Sequence, residues 1–295
     1  MAAACPLTAA SPYFSTTSLG TTSLRWILMK LLNRRLAAIV LCVTVAGLMT
    51  GCGSSSSTVN SSDPSAGISG NWQMSLVPTD STDPKSQSGF LLQSGTAVSG
   101  SVIVIDTPCS GVATVAGTVS GSDVSLVATL SGDVINLTGS VSGQNAMSGT
   151  YTILSEGCSK TGVSPQTGTW TASEVPPVNG NIQSGTYTSN RMPSPFTGIT
   201  GQLAQGQNTG VSTATLTGTI SIPGYCFTSA NLVGTISGTS TVLNVLESDG
   251  SQIGQIIGVV NGNSLSGTLN YVGQGTGGTQ GCRDDDAGTI TLTVQ

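Results

Sequence analysis

Val112-Ala113-Thr114-Val115-Ala116-Gly117-Thr118-Val119-Ser120-Gly121-Ser122-Asp123-Val124-Ser125-Leu126-Val127-Ala128-Thr129-Leu130 holds two β-prone runs around a polar turn. β-Branched residues recur in both runs with a strand-like period. They suit a pleated, half-buried surface and crowd a helix. Gly121-Ser122-Asp123 is a turn signal of the kind that joins antiparallel neighbours. Similar runs lie on either side: Trp72 to Val77, Gly89 to Leu92 and Ala97 to Ile105 before, and Val134 to Val141, Met147 to Leu154 and Thr167 to Ala172 after. Eight short runs joined by short turns describe an antiparallel meander. Closing such a meander into a barrel removes its exposed edges. A β-sandwich is the competing architecture.

Composition agrees with an all-β chain. The 295 residues include 40 glycines, and only 7% are charged. Helix formers such as Glu, Lys and Arg are scarce, while Val, Ile, Thr, Ser and Gly dominate. The length suits about two domains.

A second set of runs follows: Gly185 to Thr188, Gly198 to Leu203, Val211 to Ile220, Asn231 to Ser237, Thr241 to Leu246, Gln252 to Val260, Ser264 to Tyr271 and Gly288 to Val294. Short blocks recur in the same order. Ser69-Gly70-Asn71-Trp72 matches Ser184-Gly185-Thr186-Tyr187. Gly117-Thr118-Val119-Ser120-Gly121 matches Gly234-Thr235-Ile236-Ser237-Gly238. Ser148-Gly149-Thr150 matches Ser266-Gly267-Thr268, and Gly168-Thr169-Trp170-Thr171 matches Gly288-Thr289-Ile290-Thr291. A repeat of this length is too long for a solenoid unit. A tandem duplication is expected, with β-domain 1 at 68–174, a Pro-containing linker at 175–182 and β-domain 2 at 183–295. Gly70-Asn71-Trp72 and Gly168-Thr169-Trp170 resemble the barrel ends of avidin-like and lipocalin-like proteins.

The N-terminal part has a different character. From Met29 a basic segment (Lys30, Arg34, Arg35) leads into an uncharged apolar run, Leu36 to Met49, and then Thr50-Gly51-Cys52. The run has the length of a signal h-region and is shorter than a membrane-spanning helix. Small residues before a cysteine, behind such a segment, resemble the lipobox of bacterial lipoproteins. That resemblance implies cleavage of 29–51, a diacylglyceryl group on the Cys52 sulfur, and attachment to a membrane through acyl chains. Gly53, where inner-membrane lipoproteins often carry Asp, leans toward the outer membrane or cell surface. Residues 1–28 precede this signal and read as an over-extended start. Residues 52–67 read as a Ser/Gly-rich tether.

Cys5 and Cys42 precede the cleavage point, and Cys52 takes the lipid. Cys109, Cys158, Cys226 and Cys282 remain. A duplicated chain that satisfies each repeat internally pairs Cys109 with Cys158 and Cys226 with Cys282, as export to an oxidising compartment permits. Metal binding or thiol redox chemistry is the alternative, but there is no Cys-x-x-Cys and no His.

The lack of His excludes a Ser-His-Asp triad and a His-ligated catalytic metal. After Cys52 stand four basic residues (Lys85, Lys160, Arg191, Arg283) and all thirteen acidic ones. Nucleic acid is therefore not an expected partner. Asp106, Asp123, Asp133, Glu156, Glu174, Glu247 and Asp249 fall in or beside turns, where acids are usually solvated. Asp284-Asp285-Asp286 could supply oxygen ligands to calcium, against a solvated loop. Trp72, Trp170, Tyr187, Tyr151 and Tyr271 could line a ligand pocket in a barrel mouth, or could plug the barrel ends. No cofactor is expected. The expected role is that of a non-enzymatic envelope lipoprotein that binds a small ligand, a glycan or an envelope protein, or that serves structurally. A carboxylate-dependent hydrolase acting on glycans is the alternative, and it needs two facing acids. Empty barrels would favour small-ligand binding. Filled barrels with an exposed patch would favour contact with a protein or surface.

Overall fold

The computed structural model describes residues 67–107, 109–131, 133–143, 145–154, 166–272 and 286–295. The signal segment, Cys52, most of the tether, Glu156, Cys158, Cys282, Asp284 and Asp285 lie outside the described residues, as do the side chains of Asp106 and Cys109.

Eight strands form the first barrel: β1 (Gly70–Pro78), β2 (Lys85–Ser94), β3 (Ala97–Thr107), β4 (Cys109–Ser120), β5 (Asp123–Leu130), β6 (Asp133–Ser142), β7 (Ala146–Leu154) and β8 (Gln166–Val175). Each pairs antiparallel with the next, and β1 pairs with β8 to close the ring. That closing ladder, from Asn71 opposite Val175 to Pro78 opposite Gly168, settles barrel over sandwich.

The second set is β9 (Asn179–Ser189), β10 (Phe196–Thr197), β11 (Thr200–Gln205), β12 (Ala214–Ser221), β13 (Ala230–Ser237), β14 (Ser240–Leu246), β15 (Gln252–Asn261), β16 (Ser264–Tyr271) and β17 (Ala287–Val294). The β9–β17 ladder closes this sheet, and the two-residue β10 is appended to β9. Each of the sixteen runs read from the sequence falls on a barrel strand, although those from Gly198 and Val211 begin two and three residues before β11 and β12. β8 ends at Val175 and β9 begins at Asn179, so only Pro176, Pro177 and Val178 separate the two barrels.

The alternation of β5 shows why these strands form. Val124, Leu126, Ala128 and Leu130 are buried, while Ser125, Val127 and Thr129 face outward. Both barrels are filled in this way. Trp72, Met74, Leu91, Val102, Leu126 and Trp170 are among the first core. Tyr187, Leu203, Leu232, Leu243, Ile256 and Leu269 are among the second.

Closure bends the strands hard, and glycine marks the bends. A Cβ at Gly117 would overlap the Ser125 carbonyl oxygen, and one at Gly234 would overlap the Val242 carbonyl oxygen. Both glycines stand on the interior-facing side, where a neighbouring backbone comes too close for a side chain. The pairing places Gly117 opposite Leu126 and Gly234 opposite Leu243, so the two bends are the same bend in two copies. Gly139 opposite Gly149 and Gly258 opposite Gly267 repeat the relation.

Register corrects one matched block. Asn71 pairs with Phe90, and Asn181 pairs with Gln202. The counterpart of Gly70-Asn71-Trp72 is therefore Gly180-Asn181-Ile182, and not the stretch around Tyr187. Two hydrogen bonds repeat with it. Gln93 accepts from the Ile68 N–H at 2.8 Å, and Gln205 accepts from the Val178 N–H at 3.1 Å. A Gly-x-Tyr motif led the alignment astray, because sequence likeness in a Gly/Ser/Thr-rich chain is cheap and backbone pairing is not.

The barrels touch. The outward face of β1 and β2 carries Asn71, Gln73, Ser88 and Phe90. The β13–β14 turn, Ser237-Gly238-Thr239, sits on it. Asn71 Nδ2 donates to the Gly238 carbonyl at 2.8 Å, and the Gly238 N–H donates back to Asn71 Oδ1 at 2.7 Å. Gln73 Oε1 accepts from the Thr239 N–H and hydroxyl, each at 3.2 Å. The Ser88 and Ser237 hydroxyls are 2.9 Å apart. Phe90 points out of its own barrel and is buried in the apolar cluster of the other. The β11–β12 loop adds a second hold: Asn208 Nδ2 donates to the Leu91 carbonyl at 2.7 Å, and Ser101 Oγ donates to the Gly210 carbonyl at 3.0 Å.

Replacing Gly117 or Gly234 with Val should cost about 1–3 kcal/mol or more, as overpacking does where a backbone cannot yield. Urea denaturation measures this, and unchanged stability in both variants would contradict the account of closure.

Candidate functional site

A buried polar cluster lies at one end of the second barrel. Asp286 stands immediately before β17 and is 1% exposed. Its Oδ1 accepts from Ser189 Oγ at 2.6 Å. Its Oδ2 accepts from Tyr225 Oη at 2.8 Å and Tyr187 Oη at 3.3 Å. Tyr187 and Ser189 lie at the end of β9, two residues apart and so on the same face. Tyr225 lies in the loop between β12 and β13. Three segments distant in sequence thus converge on one carboxyl group.

Aromatic rings close this end. The Tyr225 ring meets Tyr187 edge-on with centroids 4.9 Å apart, Phe196 at 5.2 Å, Phe227 at 5.3 Å and Tyr271 at 6.0 Å. Tyr187 and Phe196 stack at 6.0 Å. Edge-to-face contacts at such spacing add to the area they bury. Burial raises the Tyr187 hydroxyl to about 12, chiefly by desolvation of the phenolate. Desolvation raises Tyr225 still further, and its bonds to Tyr187 and Asp286 act in the same direction.

This placement overturns one expectation. Asp286 is not a solvated loop residue, because its carboxyl is held by three hydroxyl donors in a closed barrel end. A cation at Asp286 would have to displace those donors, and Asp284 and Asp285 lie outside the described residues. Among the described residues no group of three or more His, Cys, Asp and Glu side chains could hold a metal. Asp133 is also buried at 1%, at the first position of β6. Glu174 stands on β8, half-buried, and burial raises its carboxyl. Asp249 keeps the expected turn role: the Ser251 hydroxyl and N–H donate to it at 2.7 and 2.9 Å and lower its pKa.

The aromatic ligand candidates are all interior. Trp72 is 0%, Trp170 1% and Tyr187 0% exposed, and Tyr151 and Tyr271 are 2% exposed. Trp72 Nε1 donates to the Ile68 carbonyl at 2.9 Å, and Trp170 Nε1 donates to the Thr138 carbonyl at 3.2 Å. They plug and pack. Cys226 is buried at 8% against the same aromatic cluster.

The outer wall of the second barrel carries a patch that the sequence did not announce. Val233, Val242, Ile257 and Val259 are 41–50% exposed. Val242 pairs directly with Ile257, and Val233 lies diagonally across from Val242. The matching positions of the first barrel, by the shared register, are Ala116, Ser125, Thr138 and Ser140. The patch belongs to one copy alone. Its members sit on three strands that read as ordinary alternating runs, so only pairing shows that they are neighbours.

Comparison with protein-family models finds no match, and no curated protein matches the chain in sequence.

The tyrosine protons set a pH dependence. A hydroxyl raised from 10.0 to about 12 in the fold favours its neutral form there. Its contribution to stability is complete below pH 10 and is lost as pH climbs from 10 toward 12. Urea denaturation between pH 8 and 12 should show stability falling through that window, and Tyr187→Phe should reduce the fall. An identical fall in the variant would count against this assignment.

Proposed function

We propose that this chain is an exported envelope lipoprotein, anchored through acylated Cys52 and acting without catalysis by presenting the surface of its two barrels to a protein or another envelope component. The observation that carries this is the combination of filled interiors with the exposed Val233–Val242–Ile257–Val259 patch. Trp72, Trp170, Tyr151 and Tyr187 occupy the space that a small ligand would need. The patch offers apolar area on the outside, where contiguous exposed apolar surface commonly marks an interaction site.

The anchoring half rests on Lys30 to Arg35, the apolar run to Met49 and Thr50-Gly51-Cys52. An acidic mature part with four basic residues has little electrostatic attraction to anionic lipid, so the acyl chains would supply the attachment. Two disulfides, Cys109–Cys158 and Cys226–Cys282, belong to the same reading. Support for the second is that Cys226 is buried in the barrel-end apolar cluster. Each would close a loop of some fifty residues and stabilise by about 3–4 kcal/mol on the chain-entropy view.

Expression of Cys52→Ser followed by cell fractionation tests the anchor. The wild-type protein should sediment with membranes and be released only by detergent, and the variant should be found in the soluble exported fraction. A variant that stays with membranes would refute the lipid anchor.

A further inference from the structure

The barrel-to-barrel contact is built from two surfaces that the duplication copies. The first is the receiving face of barrel one: Asn71 with the outward residues of β2. The second is the donating turn of barrel two: Ser237-Gly238-Thr239. By register, barrel two carries its own version of the receiving face, and barrel one carries its own version of the donating turn. Among the described residues, neither copy makes a hydrogen bond to the other barrel. We propose that they meet between chains, so that the Ser120-Gly121-Ser122 turn of one molecule docks on the Asn181 face of a second copy.

The face is identified strand by strand. Asn181 pairs with Gln202 as Asn71 pairs with Phe90. Gln202 pairs in turn with Thr219, and Phe90 with Ser101. The same side-chain amide therefore stands at the same place on both barrels. On barrel one it is 3% exposed and holds both polar groups of the Gly238 backbone. On barrel two Asn181 is exposed, and an open depression of about 560 Å³ lies around it, lined by Gln202, Ala204 and Thr219.

The turn is identified in the same way. Ser120 pairs with Asp123 across it, as Ser237 pairs with Ser240. Gly121 has φ of 58° and Gly238 of 53°, so the two turns share a left-handed glycine. The Ser122 carbonyl accepts from the Val141 N–H at 2.8 Å, and the Thr239 carbonyl accepts from the Val260 N–H at 2.8 Å. The two tips thus present similar backbone. Ser120 and Ser122 are exposed, whereas Ser237 is 5% exposed under barrel one.

The copies are not identical, and the differences set the strength of the contact. Phe90 and Leu92 become Gln202 and Ala204, which removes the apolar anchors. The second hold also disappears, because the β11–β12 loop that carries Asn208 and Gly210 corresponds to a bare Gly95-Thr96 turn in barrel one. What remains is the amide-to-turn pairing on a polar floor. That suits a reversible contact, effective where molecules are crowded together. Because turn and face are different surfaces, each single contact is head-to-tail.

A cysteine pair tests this on the purified full chain with Cys5, Cys42 and Cys52 replaced by serine and the other native cysteines oxidised, using a short bis-maleimide at high protein concentration. Ser122→Cys and Ala204→Cys are both at exposed positions, and the second leaves the Asn181 amide in place. The double variant should give a ladder of dimers, trimers and higher products. A mixture of the two single variants should stop at dimers, and each single variant alone should give none. A double variant that remains monomeric overturns the proposal. So do dimers from one single variant alone, which would mean a two-fold contact.

Discussion

A neighbouring backbone that comes too close for a Cβ is the constraint on which both barrels depend. Gly117 against Ser125 and Gly234 against Val242 are the same event in two copies. An eight-stranded sheet closes only if its strands coil, and coiling brings carbonyls over the inner face of the next strand. Glycine at that point costs conformational entropy in a strand, and the closed ladder offsets it by leaving no unpaired edge. The repeated spacing of these glycines is thus a record of the fold.

The duplication explains the likeness of the barrels, and its decay explains how they differ. The end of barrel two is sealed by Asp286 and its tyrosines. In barrel one the register places Leu76 and Pro78 where barrel two has Tyr187 and Ser189. Outward positions of β2 became Phe90 and Leu92 and were covered by the second barrel, while outward positions of β13 to β15 became Val233, Val242, Ile257 and Val259 and stayed open. Two different walls have therefore diverged: β1 and β2 of the first barrel join the barrels, and β13 to β15 of the second leave an apolar surface.

Much of the fold was legible because strand period and turn chemistry are local. Every barrel strand except β2, which holds no Val, Ile or Thr, could be read from runs with β-branched residues bounded by Gly, Ser, Asn or Asp. Closure was not local, since it rests on β1 meeting β8 about a hundred residues away. The barrel seam was illegible for a similar reason. Asn71 and Phe90 sit at outward positions of alternating strands, and nothing nearby says that a turn 167 residues on will cover Asn71. Asp286 misled because three consecutive acids look solvated, yet one of them is drawn inside by a tyrosine 61 residues earlier. The aromatic residues were found but assigned an open alternative that their burial removes.

Two copies of one barrel are joined through Asn71 and Gly238 into a single body. Cooperativity of unfolding tests it most directly. Trp72 and Trp170, the tryptophans among the described residues, both lie in the first barrel, whereas far-ultraviolet circular dichroism reports both. Urea titrations followed by the two signals should superimpose in the wild-type protein. A tryptophan transition clearly separated from the dichroism transition would mean that the barrels unfold independently, and would contradict the account.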